Sequence, residues 1–175
     1  MPATREALLR AAETALALRP WRTVRMTDVA AGAGVSRQTL YNEFGGKEGL
    51  ARALVRRETA RWLDGVDRVL AGPGTPAERL TELADWTLGG AARPLTRVLL
   101  TGFDDPALPS CAHAPRPAEL VRAVRDRARE ALGPLAADRA ELGVRLALSC
   151  LIAPGPTGPA EMLRLSATNR TTAGR

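Results

Sequence analysis

The segment "GVSRQTLYNEF", residues 34–44, decides how this chain is read. Gly34 can take the positive φ of a tight turn, Val35 can plug between two helices, and the Ser36 hydroxyl can cap the helix that follows. Leu40 and Phe44, four residues apart, share one face and suit packing against an upstream helix and Leu16. Arg37, Gln38, Tyr41 and Asn42 are then left pointing outward. The periodicity upstream predicts another short helix over 26–32, so "GAGVS" joins two pieces too short to be stable alone. Such a pair is a helix-turn-helix, whose second helix fits the DNA major groove. Arginine can donate one hydrogen bond each to guanine O6 and N7, while glutamine matches adenine N6 and N7 in the same bidentate way. Arg37 and Gln38 are therefore the candidate base readers. Ser36, Thr39, Tyr41 and Asn42 suit phosphate oxygens, and Lys47 can add a charged backbone contact.

Charge agrees with that placement. The chain of 175 residues has a formal net charge of +6, and residues 1–57 hold ten bases against five acids. The remainder is almost balanced, as expected when one end faces a polyanion. Apolar residues recur at helical spacing and strand-like alternation is nearly absent, so the expected fold is all-α. Proline and glycine clusters cut the chain into predicted helices at about 4–19, 26–32, 36–43, 47–71, 76–91, 93–102, 117–132, 136–153 and 158–167. The N-terminus has neither the pattern of a signal peptide nor that of a membrane span. Cys111 and Cys150 are far apart and outside any CxxC motif, which fits a reducing, cytoplasmic setting and excludes a disulfide framework or zinc module.

A family resemblance rests on these same residues. "VAAGAGVSRQTLYNEFGGKEGL" resembles the signature "IA..AGVS..TLY..F..KE.L" of the tetracycline-repressor (TetR) family of bacterial regulators, with Val29, Ala30, Gly34, Val35, Ser36, Thr39, Leu40, Tyr41, Phe44, Lys47, Glu48 and Leu50 in place. Trp21 and Met26 match the apolar positions around the start of the second helix. The resemblance implies a three-helix helix-turn-helix DNA-binding domain, residues 1–46, joined to a larger helical regulatory and dimerisation domain, 47–167, with a polar tail at 168–175. It implies DNA contacts at Arg37, Gln38 and Tyr41 for bases and at Ser36, Thr39, Asn42 and Lys47 for the backbone. Two positions depart from the pattern. Arg25 stands where a threonine usually caps the second helix, so either the cap moves to Thr27 or Arg25 meets a phosphate. Glu43 replaces a frequent histidine and is expected to turn aside toward Arg37 or Lys47.

Beyond residue 57 the resemblance is one of architecture, implying a homodimer with an effector pocket in each subunit. In "AELGVRLALSCLIA", residues 140–153, Glu141, Arg145 and Ser149 form one narrow polar stripe. Leu142, Leu146, Leu148, Leu151 and Ile152 fill much of the remaining circumference. So broad an apolar surface faces two partners, its own core and a second subunit, unless the helix is central to a monomer. Trp62, Trp86, Leu99, Phe103 and Met162 are candidates to line an effector pocket or plain core. "FDDPALPSCAHAPRP", from Phe103, has the irregular composition of a pocket lid. Its Cys111 and His113 are only half of a metal site, so no metal and no cofactor is expected.

The reading that gathers these features is a ligand-responsive homodimeric repressor binding double-stranded DNA at a palindromic operator. An activator of the same fold and an effector-blind DNA-binding or interaction protein remain as alternatives. An enzyme is disfavoured, because one histidine, no GxSxG and no phosphate loop leave few catalytic parts.

Overall fold

The computed structural model describes residues 2–110 and 113–172. Among them the structure is helical throughout: α1 (Pro2–Leu18), a 3-10 turn (Trp21–Thr23), α2 (Met26–Gly32), α3 (Arg37–Phe44), α4 (Lys47–Leu70), α5 (Pro76–Gly90), α6 (Pro94–Thr101), α7 (Pro117–Leu132), α8 (Pro134–Ile152) and α9 (Pro159–Thr172). Proline opens α5 through α9, where its fixed φ suits a first helical position and its missing N–H costs nothing. That placement explains why the sequence punctuation located these boundaries. The 3-10 turn was not anticipated. Helix α9 also runs to Thr172, five residues into the stretch expected to be tail, and 173–175 lie outside the described residues.

The chain divides into two compact units, one comprising Met1–Thr59 with Phe103–Ala114 and the other Ala60–Gly102 with Pro115–Arg175. In the first, Leu8, Leu9 and Ala12 of α1 pack with Val29 and Ala30 of α2, Leu40 and Phe44 of α3, and Leu50 and Leu54 of α4. Trp21 and Val24 close one end of this core, with Leu16 and Val35 half-buried at its margin. Burying each large side chain stabilises the unit by about 1.5–3 kcal/mol, which offsets the poor intrinsic stability of the seven-residue α2 and eight-residue α3. Arg57 of α4 ties α1 down by pairing with Glu6 at 2.9 Å and with Glu13.

In the second unit α8 packs against α5 and α7, and α9 lies against α5 and α8. The inward side of α8 is built from small residues, Ala136, Ala140, Gly143, Val144 and Ala147, which lets its neighbours approach closely. Helices α4 and α5 meet through two reciprocal tryptophan and glycine contacts. An ideal Cβ on Gly65 would sit 2.1 Å from Trp86, and one on Gly90 would sit 3.4 Å from Trp62. Helix α5 is opened by a capping box in which the Glu78 carboxylate accepts from the Thr75 backbone N–H at 2.7 Å.

Candidate nucleic-acid interface

Ser36 caps α3 as its residue type dictates, its Oγ accepting from the Thr39 N–H at 3.0 Å and bonding the Thr39 hydroxyl at 2.8 Å. The turn before it closes through Gly34 N–H to Ala31 O and Val35 N–H to Ala30 O, both at 3.0 Å. Gly34 has φ +68°, a conformation that strains any residue with a Cβ. With Leu40 and Phe44 in the core, the opposite side of α3 presents Arg37, Gln38 and Asn42 exposed and Tyr41 half-buried.

The outward side chains are arranged in pairs. Arg37 donates to the Tyr41 hydroxyl at 3.3 Å, its guanidinium carbon 5.2 Å from the ring centroid. Gln38 donates to the Asn42 amide oxygen at 2.8 Å. Each pair spans one helical turn, so each candidate base reader is braced by the residue four positions on. A stiffened reader loses less rotamer freedom on meeting a base edge.

Beside α3 lies an open cleft of about 630 Å³ whose lining includes Arg22, Thr23, Arg25, Thr27, Arg37, Tyr41 and Lys47. Four bases, two threonine hydroxyls and a phenol around one concavity make a site for oxyanions, and phosphate oxygens on a duplex are of that kind. Arg22 and Thr23 belong to this lining although the sequence motif did not single them out. The surplus of bases in the first third of the chain signalled Arg22, and nothing signalled Thr23.

Lys47 has a second task. Its ammonium donates to the carbonyls of Val24 at 2.7 Å and Arg22 at 3.0 Å and lies 5.4 Å from the centre of the Trp21 ring. Burial pulls its pKa below the ordinary lysine value. The start of α4 thus grips the 3-10 turn that leads into α2. On the far side of that turn the Trp21 N–H donates to the Ala107 carbonyl at 2.7 Å.

Two expectations are corrected. Glu43 turns to Arg5: its carboxylate lies 3.6 Å from that guanidinium, which also donates to the Glu43 carbonyl at 3.3 Å and covers the Phe44 ring. A guanidinium from α1 thereby sits beside that negative charge. Nor does the cap of α2 pass to Thr27, whose hydroxyl donates to Asp28 at 3.4 Å; Arg25 occupies the cap position with no side-chain cap bond. Asp28 in the first turn of α2 pairs with Arg19 at 2.6 Å.

Comparison with known proteins places this geometry. Residues 8–54 match the sequence model of "Bacterial regulatory proteins, tetR family". An HTH-type transcriptional regulator of Mycobacterium tuberculosis is 31% identical over 161 residues, covering 85% of this chain and 74% of the relative. The chain belongs to the TetR family. The HTH-type transcriptional regulator AlkX of the same species is 39% identical over 106 residues, which span 59% of this chain and about half, 50%, of that relative. Among solved structures, the Thermus thermophilus TetR-family repressor FadR in complex with lauroyl-CoA superposes with a TM-score of 0.51 at 22% identity, covering 94% of this chain and 91% of that one.

In the second unit of this TetR-family chain the expected pocket residues are dispersed. Trp62 and Leu99 are core, 4% and 3% exposed, Trp86 is half-buried with Arg68 over its ring, and Met162 is half-buried on α9. Phe103 is 62% exposed and groups with the other unit. A cleft of about 400 Å³ lies elsewhere, among Leu88, Arg97, Cys150, Leu151 and Thr157. The segment from Phe103 expected as a pocket lid is likewise part of the first unit, and Cys111 lies outside the described residues. On α8, Leu142 and Leu146 share an outward, half-buried face with Leu135, which is 89% exposed. Leu148 is half-buried, Leu151 lines the smaller cleft, and Ile152 is 61% exposed. No described helix is long and apolar enough to cross a membrane.

Proposed function

We propose that the protein is a DNA-binding transcriptional repressor that works as a homodimer, reads a palindromic operator through α3 and releases it when a small-molecule effector binds the second unit. The observation that carries the reading is the exposed row of Arg37, Gln38 and Asn42 bordering a basic, hydroxyl-lined cleft. Arg37 and Gln38 read base edges. Arg22, Arg25, Thr27, Ser36 and Thr39 hold phosphates and fix register, while Tyr41 and Asn42 brace the readers. Lys47 shapes the cleft and adds charge to it.

Family membership and relatives named as transcriptional regulators support a regulator rather than an enzyme. The outward leucines of α8 support a second copy as partner, because a two-fold dimer puts two recognition helices on successive major grooves. Lauroyl-CoA in the Thermus thermophilus relative supports a small-molecule effector. Effector binding acts through α4, whose first turn grips the cleft and whose later turns belong to the second unit.

Selection of binding sites from random duplexes by the full chain tests this. The expected outcome is a two-fold-symmetric motif with half-sites about 10 base pairs apart or a multiple of that. Failure to enrich any sequence at low salt contradicts it.

A further inference from the structure

The 3-10 turn Trp21–Thr23 supplies Arg22 and Thr23 to the basic cleft and leads directly into Arg25 and Thr27. Its local hydrogen bonds close on its own first residues: Thr23 N–H to Pro20 O, Val24 N–H to Trp21 O, and the Thr23 hydroxyl to Pro20 O at 2.8 Å. Three residues with so few internal bonds need outside support to hold a fixed shape. One support is Lys47, already described. The other comes from far along the chain, where the Ala107 carbonyl accepts the Trp21 N–H at 2.7 Å.

We propose that the segment 103–110, part of the connection from α6 to α7, is a positioning part of the DNA-binding cleft. This rests on the reading of that cleft as the DNA site. The segment is built to hold the Ala107 carbonyl in place. Asp105 accepts the Ala107 N–H on its carboxylate at 2.8 Å and the Leu108 N–H on its backbone carbonyl at 2.9 Å, so the peptide on either side of Ala107 is fixed by one aspartate turn. Pro109 is buried behind it, and these residues group with the DNA-binding unit rather than with the helices they connect. The turn bearing Arg22 is therefore held from α4 by Lys47 and from the α6–α7 connection by Ala107.

The test compares Asp105→Ala with Asp105→Asn in the full chain. Both remove the same negative charge, which alone strengthens binding to a polyanion equally, but asparagine keeps the oxygen that accepts from Ala107. The proposal expects Asp105→Ala to bind a duplex chosen by binding-site selection about two- to tenfold more weakly than Asp105→Asn, the range of one net hydrogen bond. It also expects faster hydrogen exchange at the Trp21 amide in Asp105→Ala than in Asp105→Asn, with unchanged exchange in the core of α8. Equal affinities together with equal Trp21 exchange in the two variants overturn it while leaving the DNA-binding reading intact. A parent protein that binds no duplex overturns the DNA-binding reading itself and, with it, the cleft's role assigned here.

Discussion

At the scale of single residues the structure makes demands that side-chain type alone conceals. Gly65 lies on α4 where an ideal Cβ would come within 2.1 Å of the Trp86 ring, a distance no real Cβ contact sustains. Gly65→Ala is expected to destabilise the second unit by about 1–3 kcal/mol through overpacking. The denaturation midpoint followed by tryptophan fluorescence measures this, and an unchanged midpoint shows that Trp86 moves aside without cost. The same scale explains why Lys47 was legible only in part. Its sequence position marks it as a base near the recognition helix, but its two carbonyl acceptors, Arg22 O and Val24 O, lie 25 and 23 residues away and carry no side-chain signature. Arg5 is a similar case. Nothing local to Glu43 shows that α1 returns a guanidinium to it.

At the scale of elements the boundaries were legible because proline and glycine set them locally, as at Pro76, Pro94, Pro117 and Pro134. Contacts made by irregular segments were not, since Trp21 bonds Ala107 through backbone atoms that every residue possesses. An effector pocket is hard to read from sequence for another reason: tryptophans at helical spacing serve core and cavity alike, and here Trp62 and Trp86 pack against glycines of α5 and α4. Helices α7 and α8 are joined by a charged cluster in which Arg125 meets Glu141 at 3.1 Å and Asp138 at 2.8 Å, while Arg145 meets Glu141 at 2.8 Å. The hydrogen bond from Arg145, reinforced by the charges of Arg145 and Arg125, holds the Glu141 carboxyl below its ordinary range against an opposing desolvation. A depressed carboxylate pKa adds stability that is complete above the unfolded value and is lost as pH falls through the folded one. Glu141→Gln should therefore flatten the fall of melting temperature below about pH 4.3 and cost at most about 1 kcal/mol near neutrality, as for exposed pairs. An unaltered acid limb would assign the cluster no share in acid sensitivity.

At the scale of the whole molecule the account needs two copies. Leu135, Leu142 and Leu146 form an outward apolar row on α8 that its own inward small residues do not cover. The parent is expected to sediment as a dimer and the double variant Leu142→Asp with Leu146→Asp as a monomer, with a loss of at least tenfold in affinity for a two-half-site duplex (about 1.4 kcal/mol). Retained dimer mass in that variant moves the interface off this face. The most direct measurement concerns the claim that α3 reads sequence. A selected duplex and its single-base-pair substitutions are titrated with the parent, Arg37→Ala and Gln38→Ala. The account predicts that each variant loses about 1–3 kcal/mol of discrimination at one half-site position and keeps the parent's preferences elsewhere. Identical base-by-base preferences in all three proteins contradict it.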